Sequence, residues 1–153
     1  MVEKQISDIY ERNVDRIYRL CFSYLKNKDD AFDAMQNTFI KMIQKDMLFE
    51  SEEHEKGWLI VTASNICKNV LAHWWRKNVS IEEWDGLITG QNQEDTEFLM
   101  VVLNLPVKYR IPVYLHYYEG YSSVEIGKMM GKNDATIRGW LKKGRELLGK
   151  ELG

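Results

Sequence analysis

Residues Glu119–Gly153 read EGYSSVEIGKMMGKNDATIRGWLKKGRELLGKELG. Ser122 and Glu125 have the spacing of a capping box, in which the serine hydroxyl accepts from a first-turn amide and the glutamate reaches back. A short helix should therefore open there, with Val124, Ile126, Met129 and Met130 as its apolar side. Gly131 stands where a left-handed residue ends a helix cheaply. Asn133 suits the cap of the next helix, and Asp134 lies near that helix's positive end. A short helix, a glycine turn and a second capped helix make the helix-turn-helix pattern, a signal for double-stranded DNA binding.

At about 100° per residue, Ile137, Leu141, Gly144 and Leu148 share one side of the second helix, flanked by Trp140 and Leu147. Arg138, Gly139, Lys142, Lys143 and Glu146 share the other. Lys132 to Lys150 holds six Lys/Arg and two acids, in a chain of net charge −2. A cationic face turned away from a core suits a major groove lined by phosphates and base-edge acceptors. The competing account is a solvated face on an ordinary helical hairpin.

The whole chain has 153 residues, 29% charged and 44% hydrophobic, ordinary for a globular protein. No apolar run approaches a membrane span, and the N-terminus MVEKQISDIYER lacks a signal-peptide core, so no membrane insertion and a cytoplasmic location are expected. Cys21 and Cys67 are expected to be buried thiols rather than a disulfide framework. Residues 1–78 carry twelve Lys/Arg against twelve Asp/Glu, residues 79–95 carry five acids and no base, and residues 96–153 carry nine bases against six acids. The acidic middle, with Gly86 and Gly90 and little apolar periodicity, has the character of a linker. The expected fold is all-α: a helical domain over 1–78, an acidic linker over 79–95, and a helix-turn-helix domain over 96–153.

In the first domain, Ile6, Ile9, Tyr10, Ile17, Leu20, Cys21, Tyr24 and Leu25 recur at helical period from Glu3 to Leu25. Asp29 or Asp30 can cap a second helix reaching about Lys45, with Ala31, Met35, Phe39, Met42 and Ile43 inward and Asp33, Gln36, Asn37, Ile40 and Gln44 outward. Ile40 is either a stray exposed residue or part of a partner surface. Residues 46–56 show no periodicity and are expected to form a loop. A third helix follows from about Gly57 to Lys77, with Leu59, Ala63, Ile66, Val70 and Trp74 inward. Its outward stripe holds Trp58, Thr62, Asn65, Lys68, Asn69 and Arg76, with Trp75 nearby. An aromatic ring, amides and cations together can hold unpaired bases and phosphates; alternatively Trp58 packs on the preceding loop. Thr96–Asn104 reads as a short helix, Pro106 as the first turn of the next, and Pro112 as a kink or restart within it.

Catalytic constellations do not stand out. There is no nucleotide-binding glycine loop, and His54, His73, His116 and the cysteines lack zinc spacing. Neither enzymatic activity nor a cofactor or metal is expected.

Three segments in order resemble bacterial sigma-70 family RNA polymerase sigma factors of the small extracytoplasmic-function group. DDAFDAMQNTFIKM, Asp29–Met42, is similar to the family's segment that docks on core RNA polymerase. HEKGWLIVTASNICKNVLAHWWRK, His54–Lys77, is similar to its helix that recognises and helps melt the downstream promoter element. LPVKYRIPVYLHYYEGYSSVEIGKMMGKNDATIRGWLKKGRELL, Leu105–Leu148, is similar to its upstream-element module.

The resemblance implies polymerase contact through Asp33, Gln36, Asn37 and Ile40. It implies contact with single-stranded downstream DNA through Lys56, Trp58, Asn65, Lys68, Asn69 and Arg76, and with duplex upstream DNA through Thr136, Arg138, Gly139, Lys142 and Lys143. An anti-sigma factor is a further candidate partner. Six positions depart from the family pattern: Phe32 stands where Glu is frequent, Asn37 and Asn69 where acids are, Gly139 brings no side chain to a base-contacting position, Trp140 stands where Arg is common, and Gly144 where Ala is common. A stand-alone DNA-binding regulator and a helical protein–protein adaptor are the other readings open to such a chain.

Overall fold

A computed structural model describes residues 2–76 and 100–152 of the chain. Every regular element among them is helical, and the chain divides into two compact units, Met1–Asp85 and Gly86–Gly153. The linker expected over 79–95, and the first residues of the helix expected from Thr96, lie outside the described residues.

The first unit is built from α1 (Glu3–Leu25), α2 (Lys28–Gln44) and α3 (Glu52–Arg76), each packed on the other two. Its core takes Ile17, Leu20, Cys21 and Leu25 from α1, Ala31, Met35 and Met42 from α2, and Leu59, Ile60, Ala63 and Cys67 from α3. Lys26 ends α1 in the left-handed region at φ 55°, its amide donating to the Phe22 carbonyl. That sharp stop places the α2 cap at Asn27, whose side chain accepts from the Asp30 amide at 3.0 Å. The cap is therefore neither Asp29 nor Asp30; both fall inside the first turn, where their charge favours the helix dipole. Ile43, expected inward, is exposed, because Met42 occupies the inward position one residue earlier.

The larger correction concerns residues 52–56. They form the first turns of α3 rather than a loop, as the Ser51 hydroxyl accepts from the His54 amide at 3.0 Å and three acids occupy the opening turn. Glu55 anchors this extension, buried at 4% exposure. Its carboxylate accepts from Arg12 Nη2 at 2.7 Å, Arg12 Nε at 3.2 Å and Asn13 Nδ2 at 2.8 Å, all from α1. Asn13 also donates to the Ile9 carbonyl and accepts from Arg16, so its buried amide is fully used. The hydrogen bond that Arg12 donates to Glu55 raises its guanidinium above its ordinary pKa, and burial opposes that rise.

Cys21 and Cys67 are free and fully buried. The Cys67 thiol is pushed far up by its hydrogen bond with Cys21 and by burial, which keeps it out of the nucleophilic thiolate form.

The second unit begins, within the described residues, with helical residues 100–103 and continues through α4 (Val107–Tyr117), α5 (Ser123–Met130) and α6 (Asp134–Leu152). Pro106 is the cap of α4, one position earlier than expected. Pro112 neither breaks nor restarts α4, which runs unbroken to Tyr117. The carbonyl it leaves without a donor belongs to Lys108, at an exposed position where water can serve it. Buried Arg110 donates from Nη1 to the Leu103 and Leu105 carbonyls, stitching α4 to the end of the preceding helical turn.

Two glycines set the spacing of this unit. A Cβ at Gly127 would lie 2.5 Å from the Lys132 carbonyl oxygen, so the turn after α5 can fold back only over a residue with no side chain. A Cβ at Gly144 would lie 2.6 Å from Val113 Cγ2, so α6 approaches α4 more closely than an alanine there allows. Gly139 has open space around it. Gly127→Ala and Gly144→Ala should each lower stability by about 1–3 kcal/mol, the usual cost of overpacking. Gly139→Ala should raise it by up to about 1 kcal/mol through helix propensity. Urea unfolding of the three variants, followed by far-ultraviolet circular dichroism, checks this split in sign.

Candidate nucleic-acid interface

The capping box on α5 is formed as expected, with the Glu125 amide donating to Ser122 Oγ at 3.1 Å and the Ser122 amide to Glu125 Oε1 at 3.0 Å. Gly131 takes φ 69° and closes the helix. Asn133 caps α6, accepting from the Thr136 amide at 2.8 Å. Val124 departs from expectation: it is half exposed, because two residues, about 200° of helix, separate it from buried Ile126.

On α6, Ile137, Leu141, Gly144 and Leu148 are buried against the rest of the unit, while Arg138, Gly139, Lys142, Lys143 and Glu146 are exposed. Thr136 is half-buried at the helix start. The expected DNA face is thus one continuous outward surface, anchored by an inward apolar seam. Arg138 is not loose on it: its Nε lies 3.1 Å from Asp134 Oδ2. Asp134 Oδ1 in turn accepts from the Ser123 hydroxyl on α5. Trp140, where the sigma pattern commonly has a cation, is half-buried and lies under Lys108 of α4, whose ammonium stands 5.6 Å from its ring centroid and 5.5 Å from that of Tyr109. A cation is therefore restored beside position 140 by a different helix, something helical spacing within α6 cannot reveal.

On α3, Asn65 and Asn69 are exposed, and Trp58, Thr62 and Lys68 are half-buried on the same stripe. Lys56 is half-buried next to the Glu55 anchor. The Arg76 side chain lies outside the described residues. Trp58 packs on Phe49, ring centroids 5.8 Å apart, and Phe49 also meets His54 edge-on at 5.4 Å. The ring is thus held from the preceding loop while part of it reaches solvent. Phe49 was absent from the candidate residues; an aromatic a few residues ahead of a helix-start Trp was the available signal.

On α2, Asp33, Asn37 and Ile40 are exposed, and Gln36 is half-buried, donating to Tyr10 Oη at 3.4 Å. Ile40 is not isolated. With Ile43, Phe39, Tyr10 and Ile6 it lines a groove of about 290 Å³ between α1 and α2, rimmed by Glu3, Ser7 and Gln36. Phe32, also on α2, is exposed. Helical period alone assigned Ile43 to the core, which hid this surface.

Among the described residues no cluster of His, Cys, Asp or Glu could hold a metal ion, and no helix is long and apolar enough to cross a membrane.

Residues 9–80 match the family model for Sigma-70 region 2, and residues 95–148 match that for Sigma-70, region 4. The chain is 28% identical over 142 residues to RNA polymerase sigma factor SigV of Bacillus subtilis (strain 168), covering 88% of this chain and 83% of that one. It is 28% identical over 165 residues to the ECF RNA polymerase sigma factor SigW of the same organism, covering 96% and 87%. Its fold is similar to that of the sigma factor RpoE of Bartonella quintana, solved in complex with the anti-sigma factor NepR, with a TM-score of 0.80 at 18% identity over 97% of each chain. With region 2 matched on the three-helix unit and region 4 on the helix-turn-helix unit, the chain belongs to the sigma-70 family, as a sigma factor of the extracytoplasmic-function group.

Proposed function

We propose that this chain binds core RNA polymerase through α2 and brings it to promoters by placing the outward face of α6 in the major groove of the upstream element. The observation that carries this reading is the separation of faces on α6, where Arg138, Lys142 and Lys143 stand outward opposite the seam of Ile137, Leu141 and Leu148. Lys142 and Lys143 meet phosphates, Arg138 reads a base edge, and Gly139 and the half-buried Thr136 let the helix start lie close to the groove. The α3 stripe of Trp58, Asn65, Lys68 and Asn69, with Lys56 and Arg76 at its ends, holds unstacked bases and backbone of the opened downstream strand. The α2 surface of Asp33, Gln36, Asn37 and Ile40 extends into the groove beside Ile43, so polymerase docking here leans on apolar contact more than on acidic side chains. That shift agrees with Phe32 and Asn37 standing where the family more often has acids. The chain contributes no catalytic chemistry; polymerase makes the phosphodiester bonds. It acts in the cytoplasm with polymerase, and an anti-sigma factor is a further proposed partner, by analogy with the NepR complex of RpoE.

Run-off transcription with core polymerase on a promoter library tests the whole reading: sequence-selective transcripts are expected with the chain and none without it. Arg138→Ala should weaken promoter-specific binding by about 1–3 kcal/mol and random-duplex binding by less, whereas Lys143→Ala should weaken both alike and reduce the salt slope of binding by about one. Titration against potassium chloride on selected and random duplexes separates the two. Ile40→Asp should abolish co-migration with core polymerase in gel filtration while leaving duplex binding by the free chain unchanged. Co-migration that survives Ile40→Asp moves the docking surface elsewhere.

A further inference from the structure

Asp134 is an acid on a surface expected to face phosphates, where a lone carboxylate would only repel. Part of its presence is explained by the helix dipole, since it sits in the first turn of α6. That account leaves both of its oxygens unexplained. Oδ1 accepts from the Ser123 hydroxyl at the start of α5, so the carboxylate is tied to the other helix of the motif. Oδ2 faces Arg138 Nε at 3.1 Å, one helical turn further along α6. The Asp134 side chain is 38% exposed and that of Arg138 is 66% exposed, so the carboxylate is the sheltered partner and the guanidinium the presented one.

The choice of nitrogen matters. An arginine paired through both terminal nitrogens has its fork spent within the protein. With Nε the nitrogen nearest the Asp134 carboxylate and the side chain 66% exposed, the Nη1–Nη2 end of Arg138 is left for an outside acceptor. Two parallel N–H groups on a planar head match the O6 and N7 acceptors of guanine in the major groove. An exposed pair of this spacing adds little to helix stability, so its weight lies in orientation. An Arg side chain has many rotamers, and holding it in one reduces the entropy lost on contact.

We infer that Asp134, braced by Ser123, is a positioning residue for promoter specificity: it holds the Arg138 guanidinium so that its two terminal nitrogens point at one guanine of the upstream element. This rests on the reading of Arg138 as a base contact, and the test separates the two. The full chain, assembled with core polymerase, is used to select duplexes from a pool randomised across the upstream element, and the retained duplexes are sequenced. The base pair whose preference vanishes in Arg138→Ala is the one that Arg138 reads.

At that pair Asp134→Asn should lower the preference for guanine by about three- to tenfold, part of what a bidentate Arg–guanine contact supplies. Neighbouring pairs should stay within about twofold, and random-duplex affinity should rise as a negative charge leaves the phosphate-facing surface. Ser123→Ala keeps the charge and removes the brace, and should lower the same preference in the same direction. Asp134→Asn added to Arg138→Ala should change nothing more at that pair. A role confined to helix stability would lower all preferences together. An unchanged or sharper guanine preference in a folded Asp134→Asn chain overturns the inference and leaves the Arg138 reading standing. If Arg138→Ala erases no base preference, both fall. Should Asp134→Asn fail to fold, Ser123→Ala decides the matter by the same readout.

Discussion

The buried carboxylate of Glu55 is the contact on which the first unit depends. Taking one charge out of water costs several kcal/mol unless geometry and hydrogen bonds offset it. Here three donors from α1 do so, while Arg12 stays 42% exposed and spreads its own charge into solvent. The result is directional in a way that apolar packing is not. Leu59, Ile60 and Ala63 would tolerate some sliding of α3 along α1, but a bidentate guanidinium and a saturated Asn13 amide accept one register. That register decides where α3 begins, and it brings Lys56 and Trp58 into helix rather than loop. The placement of Asn65 and Asn69 on the outward stripe follows from it, seven and eleven residues above Trp58.

The second unit solves the same problem by leaving side chains out. Among the described residues no buried ion pair fixes α6 there. Gly127 lets the Lys132 carbonyl fold over α5, and Gly144 lets α6 close on Val113 and Tyr109 of α4. Tight approach fixes the angle at which α6 presents its outer face, and interiors packed to this density transmit displacement rather than absorb it. The glycine at 144, where relatives of this pattern commonly have alanine, is thereby explained by Val113. The Ser123–Asp134 contact works across the same junction, joining the start of α5 to the start of α6.

Much of this was legible from local signals. The capping box at Ser122, the stop at Gly131, the cap at Asn133 and the two faces of α6 depend on neighbours within four residues, and periodicity reports those directly. The larger departures came from beyond the local sequence. Residues 52–56 have the composition of a loop, since acids and a histidine give no apolar period, yet a partner 43 residues away makes Glu55 a core residue. Ile43 looked inward by spacing, but a stripe of five residues is wider than the seam that α1 and α3 cover. Pro112 does not restart its helix, and its neighbours Ile111, Val113, Tyr114 and Leu115 are all buried. Tertiary burial overrode local composition at Glu55, and the limit of the packed seam left Ile43 outside it.

The division of labour on α6 follows from what its outward side lacks. Gly139 offers no side chain to a base, and Trp140 is turned under Lys108 instead of reaching out. Lys142 and Lys143 are point charges, suited to phosphates whatever the sequence between them. Most of the affinity of such a face is therefore electrostatic and indifferent to sequence. Discrimination has to come from very few groups with a planar fork, Arg138 at the helix start and Arg145 two turns further along the same face. When so few side chains can carry readout, disorder in any one of them is lost specificity. On the proposed reading, a carboxylate at Asp134 costs some attraction to DNA everywhere, and its benefit comes only where Arg138 meets the right base. That exchange of general affinity for selectivity is reasonable for a protein that must leave most of the genome unbound.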